Sequence, residues 1–418
     1  MNTEFIVDFQ CLQCGAPAEL KETTRLFACQ YCGVKSYLVP RGEFQYVLPS
    51  RVPQGLETIY FPYWHVKGVI FVCDGSLSIG SAVVNEILQA TPSEYFPPDL
   101  GFKAQVMKVT FPGSETKGQI FYPDTTRDEV IDFIKSEYPS GYHSEFIGFT
   151  DIIYAPFYIQ DETLYDGISR KRVDKYWDVD IEVTREMVDD LGPAEKLQQD
   201  LKFIPTLCPN CGWDMDCAED SFLLGCRHCN VFHKPQWDGL TKLGLAHLPG
   251  DSKTSLYLPF WRIQADVEQF ELTSFADLVK VANLTKPVGP KDQERTFYFW
   301  VPAFRVDSHL FLQIAKHVTL CQPQGELVRT IPDVASYPVN LHMSEALKSL
   351  KTVFADFVAL KEKNYPLLED IAIKPKRIAL VFLPFQKMGS EVVNLEYRVQ
   401  VNRRLLEHYS TTPITDIG

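Results

Sequence analysis

Hydrophobic and polar residues alternate along two similar stretches of the chain, YFPYWHVKG at 60–68 and YLPFWRIQA at 257–265. Aromatic, proline and β-branched residues share one face, and the opposite face becomes polar at His65 and Arg262. A period of two is typical of a half-buried β-strand. Because proline has no N–H to donate to a ladder, we expect these strands at a sheet edge, a strand start or a bulge.

Weaker versions of the same phrase recur at 154–161, 300–307 and 382–389. Extended runs follow the first and third of these, and Asp166-Gly167 in the first run is a predicted hairpin turn. The pattern predicts a repeated β core, whose edge strands could also dock a partner.

Helical periodicity is limited to a few segments. In 125–138, Thr126 and Glu129 have the spacing of a capping box ahead of an apolar stripe. The longer segment 344–364 predicts one helix packed on the second sheet, and 185–203 is predicted to be helical or a linker.

Eight of the 11 cysteines form two quartets with the spacing C-x2-C-x14-C-x2-C. The quartets are Cys11, Cys14, Cys29 and Cys32, and Cys208, Cys211, Cys226 and Cys229. Each C-x2-C pair places two thiolates on one tight turn, and two such turns complete a tetrahedron of sulfurs at ~2.3 Å from Zn²⁺. The sequence therefore predicts two structural Zn²⁺ ions with these eight cysteines as ligands.

Residues beside the ligands refine this prediction. The residue after each pair should adopt a left-handed turn, which suits Gly15, Gly33, Gly212 and Asn230. A shift of 197 residues places Cys217 on the apolar Leu20, so Cys217 is predicted to be a small buried hydrophobe.

Four thiolates fill each predicted site, so His228 and His233 are not expected to bind the ion. Iron in a rubredoxin-like site would use the same ligands. Zinc is preferred because rubredoxin knuckles lie further apart in sequence than these.

The offset of 197 residues maps Cys11–Val66 onto Cys208–Ile263 without an insertion. We therefore predict a tandem duplication of α+β class, with two small zinc ribbons each followed by a mostly antiparallel β-rich module. The predicted domains are zinc ribbon 1 at 1–45, module 1 at 46–195, zinc ribbon 2 at 200–240 and module 2 at 241–418.

Charge and hydropathy restrict the classes of partner. The net charge of −13 disfavours binding to nucleic acid, which relies on Lys and Arg. No apolar run approaches the ~18–20 residues of a spanning helix, and the N-terminus lacks the pattern of a secretory signal. We expect a cytoplasmic protein, where thiols stay reduced and paired cysteines bind metal rather than form disulfides.

Motifs for catalysis are not found in the sequence. It has no complete phosphate-binding loop, no GxGxxG, no GxSxG elbow and no HExxH. The chain is therefore predicted not to be an enzyme.

Where CxxCG…CxxC leads into the aromatic-proline phrase, the chain resembles a group of bacterial proteins, mostly uncharacterised. These carry one or two zinc ribbons followed by β segments with a PFW-type phrase. The resemblance covers Cys11–Val66 and Cys208–Ile263. Some members have membrane helices and sit near membrane-stress or membrane-remodelling genes, which implies membrane contact here only through a partner.

These observations together predict a non-catalytic zinc-ribbon adaptor or scaffold subunit of a bacterial multiprotein assembly, contacting protein partners through its ribbons and edge strands. Three alternatives stay open. They are rubredoxin-like electron transfer, nucleic-acid binding through the ribbons, and an enzyme with its site between the two modules.

Overall fold

The computed structural model describes residues 5–100, 108–113, 116–138, 141–173, 185–190 and 201–408. The chain divides into two compact units. Unit 1 comprises Met1–Gly68, Val83–Glu137 and Gly148–Phe203, and unit 2 comprises Val69–Ala82, Tyr138–Ile147 and Ile204–Gly418. Two segments of the predicted module 46–195 thus belong to unit 2, and its predicted end near 195 lies outside the described residues.

Short and long strands dominate the first half of the chain. They are β1 (Ile6–Gln10), β2 (Pro17–Lys21), β3 (Leu26–Ala28), β4 (Lys35–Pro40), β5 (Gln45–Val47), β6 (Ile59–Cys73), β7 (Ile79–Gln89), β8 (Lys108–Thr110), β9 (Gln119–Ile120), β10 (His143–Gln160), β11 (Thr163–Asp166) and β12 (Leu201–Pro205). The described helices of this half are α1 (Arg127–Ser136) and α2 (Arg185–Asp189).

The second half contains more helix. Its strands are β13 (Leu224–Cys226), β14 (Val231–Gln236), β15 (Gly239–Leu243), β16 (Leu245–His247), β17 (Leu256–Val267), β18 (Phe299–Pro302), β19 (Ile373–Met388), β20 (Glu391–Asn394) and β21 (Val399–Asn402). Its helices are α3 (Phe275–Val281), α4 (Pro290–Glu294), α5 (Ser308–Cys321), α6 (Met343–Lys348), α7 (Leu350–Phe357), α8 (Lys361–Asn364) and α9 (Arg403–His408), with a 3-10 turn at Tyr365–Leu367.

The two larger sheets repeat one strand order. The nine-stranded sheet contains the path β5-β10-β6-β7, and the six-stranded sheet contains β16-β19-β17-β18. In each case the short first strand of the path runs parallel to the long strand beside it, β5 to β10 and β16 to β19. Each long central strand also continues into a hairpin, β10 into β11 and β19 into β20.

The knuckle-bearing strands are built differently in the two halves. In the first half, β1 and β2 join the nine-stranded sheet through β8, while β3 and β4 form a separate sheet with β12. In the second half, β13, β14 and β15 form a three-stranded sheet of their own. The fold is therefore mixed and strand-rich, with both parallel and antiparallel pairs.

The two main aromatic-proline phrases lie in β6 and β17, but these strands are more buried than the alternation predicts. Both faces are buried over 59–66 and 256–261. The prediction of half-buried strands is wrong there because helices and loops cover the second face. Trp64 Nε1 donates to the carbonyl of Thr125 at 3.2 Å, and Trp261 Nε1 donates to that of Leu341 at 3.1 Å.

The prolines lie inside central strands, so the expectation of edge strands is wrong. β6 lies between β10 and β7, and β17 between β19 and β18. Pro62 accepts the N–H of Ala90, one residue after β7 ends, and Pro259 accepts that of Ala303, one residue after β18 ends. The neighbouring strand stops beside each proline, so the missing N–H costs no ladder bond on that side.

Local predictions vary in outcome. The capping box of Thr126 and Glu129 is confirmed at the start of α1. The predicted helix 344–364 is divided into α6, α7 and α8. The predicted turn at Asp166-Gly167 is confirmed, because the chain reverses there and Tyr165 forms an antiparallel bridge with Arg172. A further reversal at 161–162, with both residues in the left-handed region, joins β10 to β11. Among the described residues, no helix combines the length and apolar character needed to cross a membrane.

Candidate metal centres

The first cysteine quartet is assembled from two knuckles with matching backbone geometry. The knuckle after β1 brings Cys11 and Cys14 together, and the knuckle between β3 and β4 does the same for Cys29 and Cys32. The Sγ atoms of Cys11 and Cys32 are 3.8 Å apart, and those of Cys14 and Cys29 are 3.7 Å apart. Sulfurs placed tetrahedrally at ~2.3 Å from an ion are separated by about 3.8 Å, so the quartet fits a metal ion.

The second quartet repeats this arrangement. Cys208 Sγ is 4.0 Å from Cys229 Sγ, and Cys211 Sγ is 3.6 Å from Cys226 Sγ. Within each quartet, all four sulfurs lie within 4.8 Å of one another. The structure therefore brings together all eight of the cysteines singled out in the sequence, in the two groups predicted.

The tight turns behind the ligands have the backbone conformation expected of them. The residues after the cysteine pairs have positive φ angles, 71° at Gly15, 72° at Gly33, 71° at Gly212 and 54° at Asn230. The N–H groups of the three glycines donate back to the carbonyls of Cys11, Cys29 and Cys208. These turns hold both thiols of a pair on one side of the backbone.

Backbone hydrogen bonds favour the thiolate form at one cysteine in each quartet. Hydrogen bonds from the backbone of Cys32 and Tyr31 lower the pKa of Cys29 to about 6. Burial opposes ionisation of Cys208, but hydrogen bonds from the backbone of Asn210 and Cys211 lower its pKa to about 7. Thiolates are the form that binds a metal ion, so the knuckles are pre-organised for one.

Residues predicted not to bind the ion lie at the margin of the second site. His233 is buried, and its Nε2 is 3.9 Å from Cys208 Sγ. His228 stacks on Trp213 with ring centroids 5.7 Å apart. Cys217 is half-buried and outside the quartet.

Apolar side chains next to the ligands are exposed to solvent. Tyr31 is 73% exposed and Leu12 is 71% exposed, both between the cysteines of a first-quartet knuckle. Trp213 is 63% exposed and directly follows the Cys211-Gly212 turn, and Leu207 before Cys208 is 57% exposed. Each quartet thus has an apolar group on its surface, called here the knuckle patch: Leu12 and Tyr31 in the first, Leu207 and Trp213 in the second.

A third group of titratable side chains is buried in unit 1, which the sequence did not reveal. His65 Nδ1 lies 3.1 Å from Glu22 Oε1 and 3.9 Å from Asp151 Oδ2, and His65 Nε2 lies 3.1 Å from Asn85 Oδ1. Lys67 Nζ lies 2.8 Å from Glu22 Oε2. These residues come from β6, β7, β10 and the end of β2, so no short sequence pattern connects them.

The charges of this third group balance without an added cation. Burial disfavours the charged imidazole, but the nearby carboxyl groups of Asp151 and Glu22 outweigh it and raise the pKa of His65 to about 9. An imidazolium and the ammonium of Lys67 then face Glu22, whose pKa they lower against the effect of burial, and Asp151, whose pKa burial raises. We interpret the group as a buried ion-pair network rather than a metal site.

Comparisons with known proteins give no further support for an assignment. No family model, no curated protein and no solved structure matches the chain. The resemblance to bacterial zinc-ribbon proteins therefore stays a prediction.

Proposed function

We propose that the chain is a non-catalytic, zinc-binding adaptor subunit of a multiprotein assembly, in which two structural Zn²⁺ ions hold surfaces that contact protein partners. The observation that carries this proposal is the knuckle patch beside each quartet. Exposed aromatic and aliphatic side chains that cluster at one place are typical of interaction sites, and Trp and Tyr are frequent anchors of protein interfaces.

Zinc is the ion that this donor set favours. Four thiolates close a tetrahedral site, and zinc is the usual occupant of such a site. No fifth ligand position is left for a substrate, which supports a structural role. The ion would fix the turns that carry the knuckle patch, as metal does in small folds with little core of their own.

A protein partner fits the surface charge better than a nucleic acid does. The chain has a net charge of −13. Three exposed acidic residues, Asp214, Asp216 and Glu219, follow Trp213 in the sequence. A polyanion would be repelled at this surface, whereas an apolar or basic protein surface would not.

A tandem duplication is part of the proposal. Residues 197 positions apart make equivalent hydrogen bonds. Trp64 and Trp261 each donate to the carbonyl of the residue before a helix N-cap. Pro62 and Pro259 each accept from an alanine N–H just beyond the end of a strand. The matching strand order supports the same origin. A bacterial source and indirect membrane contact rest on the resemblance alone and stay predictions.

Affinity purification of the full chain from its native host tests the adaptor role. The wild type should recover a partner protein in stoichiometric amount. Tyr31→Ser and Trp213→Ser should each reduce recovery of a partner that uses that patch, with two zinc ions per chain retained. Val83→Ser is the matched control, because Val83 is 79% exposed and lies on β7, outside both knuckle patches. Failure to recover any stoichiometric partner would contradict the proposal.

Electron transfer is the second candidate, favoured by the exposure of Cys14, Cys32 and Cys211 at the surface. Exposed ligands shorten the path to a redox partner. Elemental analysis and visible absorption distinguish the two candidates, because tetrathiolate iron is red and tetrathiolate zinc is colourless. Colourless protein with two zinc ions per chain would exclude this candidate.

A further inference from the structure

A cavity of ≈ 600 Å³ in unit 2 carries positive charge without any acidic residue in its lining. Arg262 on β17 and Trp300 on β18 stand opposite each other in the strand register, and both line it. Arg295 and Tyr298 line it as well, and Gln322 closes it at the end of α5. Within the described residues, its lining includes no aspartate or glutamate, although the whole chain is strongly acidic.

Arg262 is held by aromatic rings rather than by a counter-charge. Its guanidinium lies 3.6 Å from the centroid of the Tyr298 ring and 5.6 Å from that of Trp300. In the part of the chain that the structure describes, its buried Nε has no hydrogen-bond partner. Stacking fixes the plane of a guanidinium and leaves the N–H groups on its rim as donors.

A second unused donor belongs to Trp300, which also lines the cavity. Trp300 is 1% exposed, and its Nε1 has no hydrogen-bond partner among the described residues. Buried indole N–H groups normally find an acceptor, because leaving one unpaired costs free energy. An acceptor supplied by a ligand would satisfy both this donor and Arg262.

The walls of the cavity are fixed before any ligand arrives. The side chain of Gln322 accepts from the N–H of Tyr298 at 3.1 Å and donates to the carbonyl of the same residue. Thr319 Oγ1 accepts the N–H of Trp300 at 3.0 Å, and Arg295 donates to the carbonyl of Gln322. A site with rigid walls loses little entropy when it binds.

The equivalent position in unit 1 shows what Arg262 lacks. His65 lies 197 residues before Arg262, in the same phrase of the sequence. There the cationic side chain faces the buried carboxylates of Glu22 and Asp151. At Arg262 the residue opposite on β19 is Ala379, which carries no charge. The half-buried Arg262 therefore has no carboxylate opposite it on β19, which leaves room for an anion from outside the chain.

We propose that this cavity binds a small organic anion that carries a carboxylate or phosphate group, with Arg262 and Arg295 facing the charge and Trp300 Nε1 donating to it. The volume falls in the range of about 300–1,000 Å³ that is usual for small-molecule sites. Paired arginines recognise both oxyanions through their forked N–H groups. This site is independent of the adaptor role, because no knuckle residue contributes to its lining.

Calorimetric titration of the metal-loaded full chain tests the site. The probes are inorganic phosphate, pyrophosphate and citrate, each at the same ionic strength set with chloride. We expect saturable binding of one molecule per chain for at least one probe. Preference for citrate would identify a carboxylate ligand, and preference for phosphate or pyrophosphate would identify a phosphorylated one.

Three variants distinguish binding in this cavity from nonspecific attraction of anions to the chain. Arg262→Gln should weaken binding at least about 30-fold, because it removes a charged donor. Trp300→Phe should weaken binding about fivefold, since it keeps the ring and removes only the N–H. Arg51→Gln makes the same charge change at an exposed position outside the cavity lining and should leave the affinity unchanged.

Two results would overturn the proposal. One is the absence of saturable binding by the wild type with all three probes. The other is the same anion affinity in Arg262→Gln, Trp300→Phe and the wild type. Thermal unfolding of each variant verifies folding, and Trp300→Phe keeps the test decisive if Arg262→Gln fails to fold.

Discussion

His65 shows how strongly distant residues set the chemistry of one side chain. It is 1% exposed, yet the carboxylates of Glu22 and Asp151 hold its pKa at about 9, against the effect of burial. An imidazole with this pKa is protonated at neutral pH. The folded chain therefore binds a proton here that the unfolded chain, with an ordinary histidine, begins to release near pH 6.5.

The pH dependence of stability follows from this difference. Because folding raises the pKa of His65, protonation of His65 stabilises the folded chain. This stabilisation is fully present below about pH 6.5 and is lost as the pH rises through about 9. The loss should be on the order of 3 kcal/mol, at about 1.4 kcal/mol for each pH unit. Urea unfolding at pH 6, 7.5 and 9.5 measures it.

His65→Gln is the control for that measurement, because glutamine can still bond Asn85 and does not titrate. The variant should be less stable than the wild type at pH 6, and the difference between their free energies of unfolding should decrease towards pH 9.5. Parallel pH profiles for the two proteins would show that His65 is not charged in the fold.

The left-handed turns behind the ligands predict opposite outcomes for two substitutions. Gly212 has a φ of 71°, and the space that an added methyl group would occupy is open, so Gly212→Ala should cost about 1 kcal/mol through backbone strain alone. Asn230→Gly, at a φ of 54°, should be neutral or slightly stabilising. Chelator competition, which reports metal affinity, should show weaker binding only for Gly212→Ala.

At the scale of elements, features specified by nearby residues were predictable. The quartets depend on knuckles in which ligands are three residues apart, and α1 depends on the Thr126–Glu129 capping box. In both cases the interacting groups are close in sequence. Spacing and residue type therefore contained most of the information about the metal centres and about this helix.

Features specified by distant neighbours were not predictable. The predicted helix 344–364 is interrupted because Ala359 leaves it to donate its N–H to the carbonyl of Val281 at 2.9 Å. The prolines occupy central strands because the neighbouring strand ends beside them. The polar face at His65 and Arg262 was visible in the sequence, but their partners in space were not.

The tryptophans of the two central strands link strand to helix, and their removal tests that link. Trp261→Phe keeps the ring and leaves the carbonyl of Leu341 without its donor. It should cost about 1–3 kcal/mol, the range for a buried group that loses its partner. Trp64→Phe should cost less, because Trp64 Nε1 shares its bond between the carbonyl and the hydroxyl of Thr125, and that hydroxyl keeps its own bond to the carbonyl of Ala90. Chemical denaturation of both variants measures which one loses more free energy of unfolding.

At the scale of the whole molecule, each unit has its own hydrophobic core and one cysteine quartet. The long central strands lie in the cores. The second quartet belongs to a separate three-stranded sheet, whereas Cys11 and Cys29 of the first quartet pack into the core of unit 1. Metal removal should therefore act locally in unit 2, and in unit 1 it should loosen β3 and β4 while the long strands stay folded.

Hydrogen exchange measured by mass spectrometry checks this expectation. In Cys211→Ser, amides of β13, β14 and β15 should exchange at least about tenfold faster, while those of β17 and β19 stay protected. In Cys14→Ser, β3 and β4 should respond while β6 and β10 stay protected. Each variant should retain one metal ion per chain. Loss of protection throughout both units would contradict a local role for the ions.

The alternation of buried and exposed cysteines has a consequence for how the protein matures. In each knuckle the first thiol is buried, and the second is exposed or half-buried. An incoming ion can therefore be captured by the outer sulfurs and passed inward after the chain has collapsed. Loading and exchange of metal then require only the opening of a turn, so a carrier molecule could fill either centre on the finished protein.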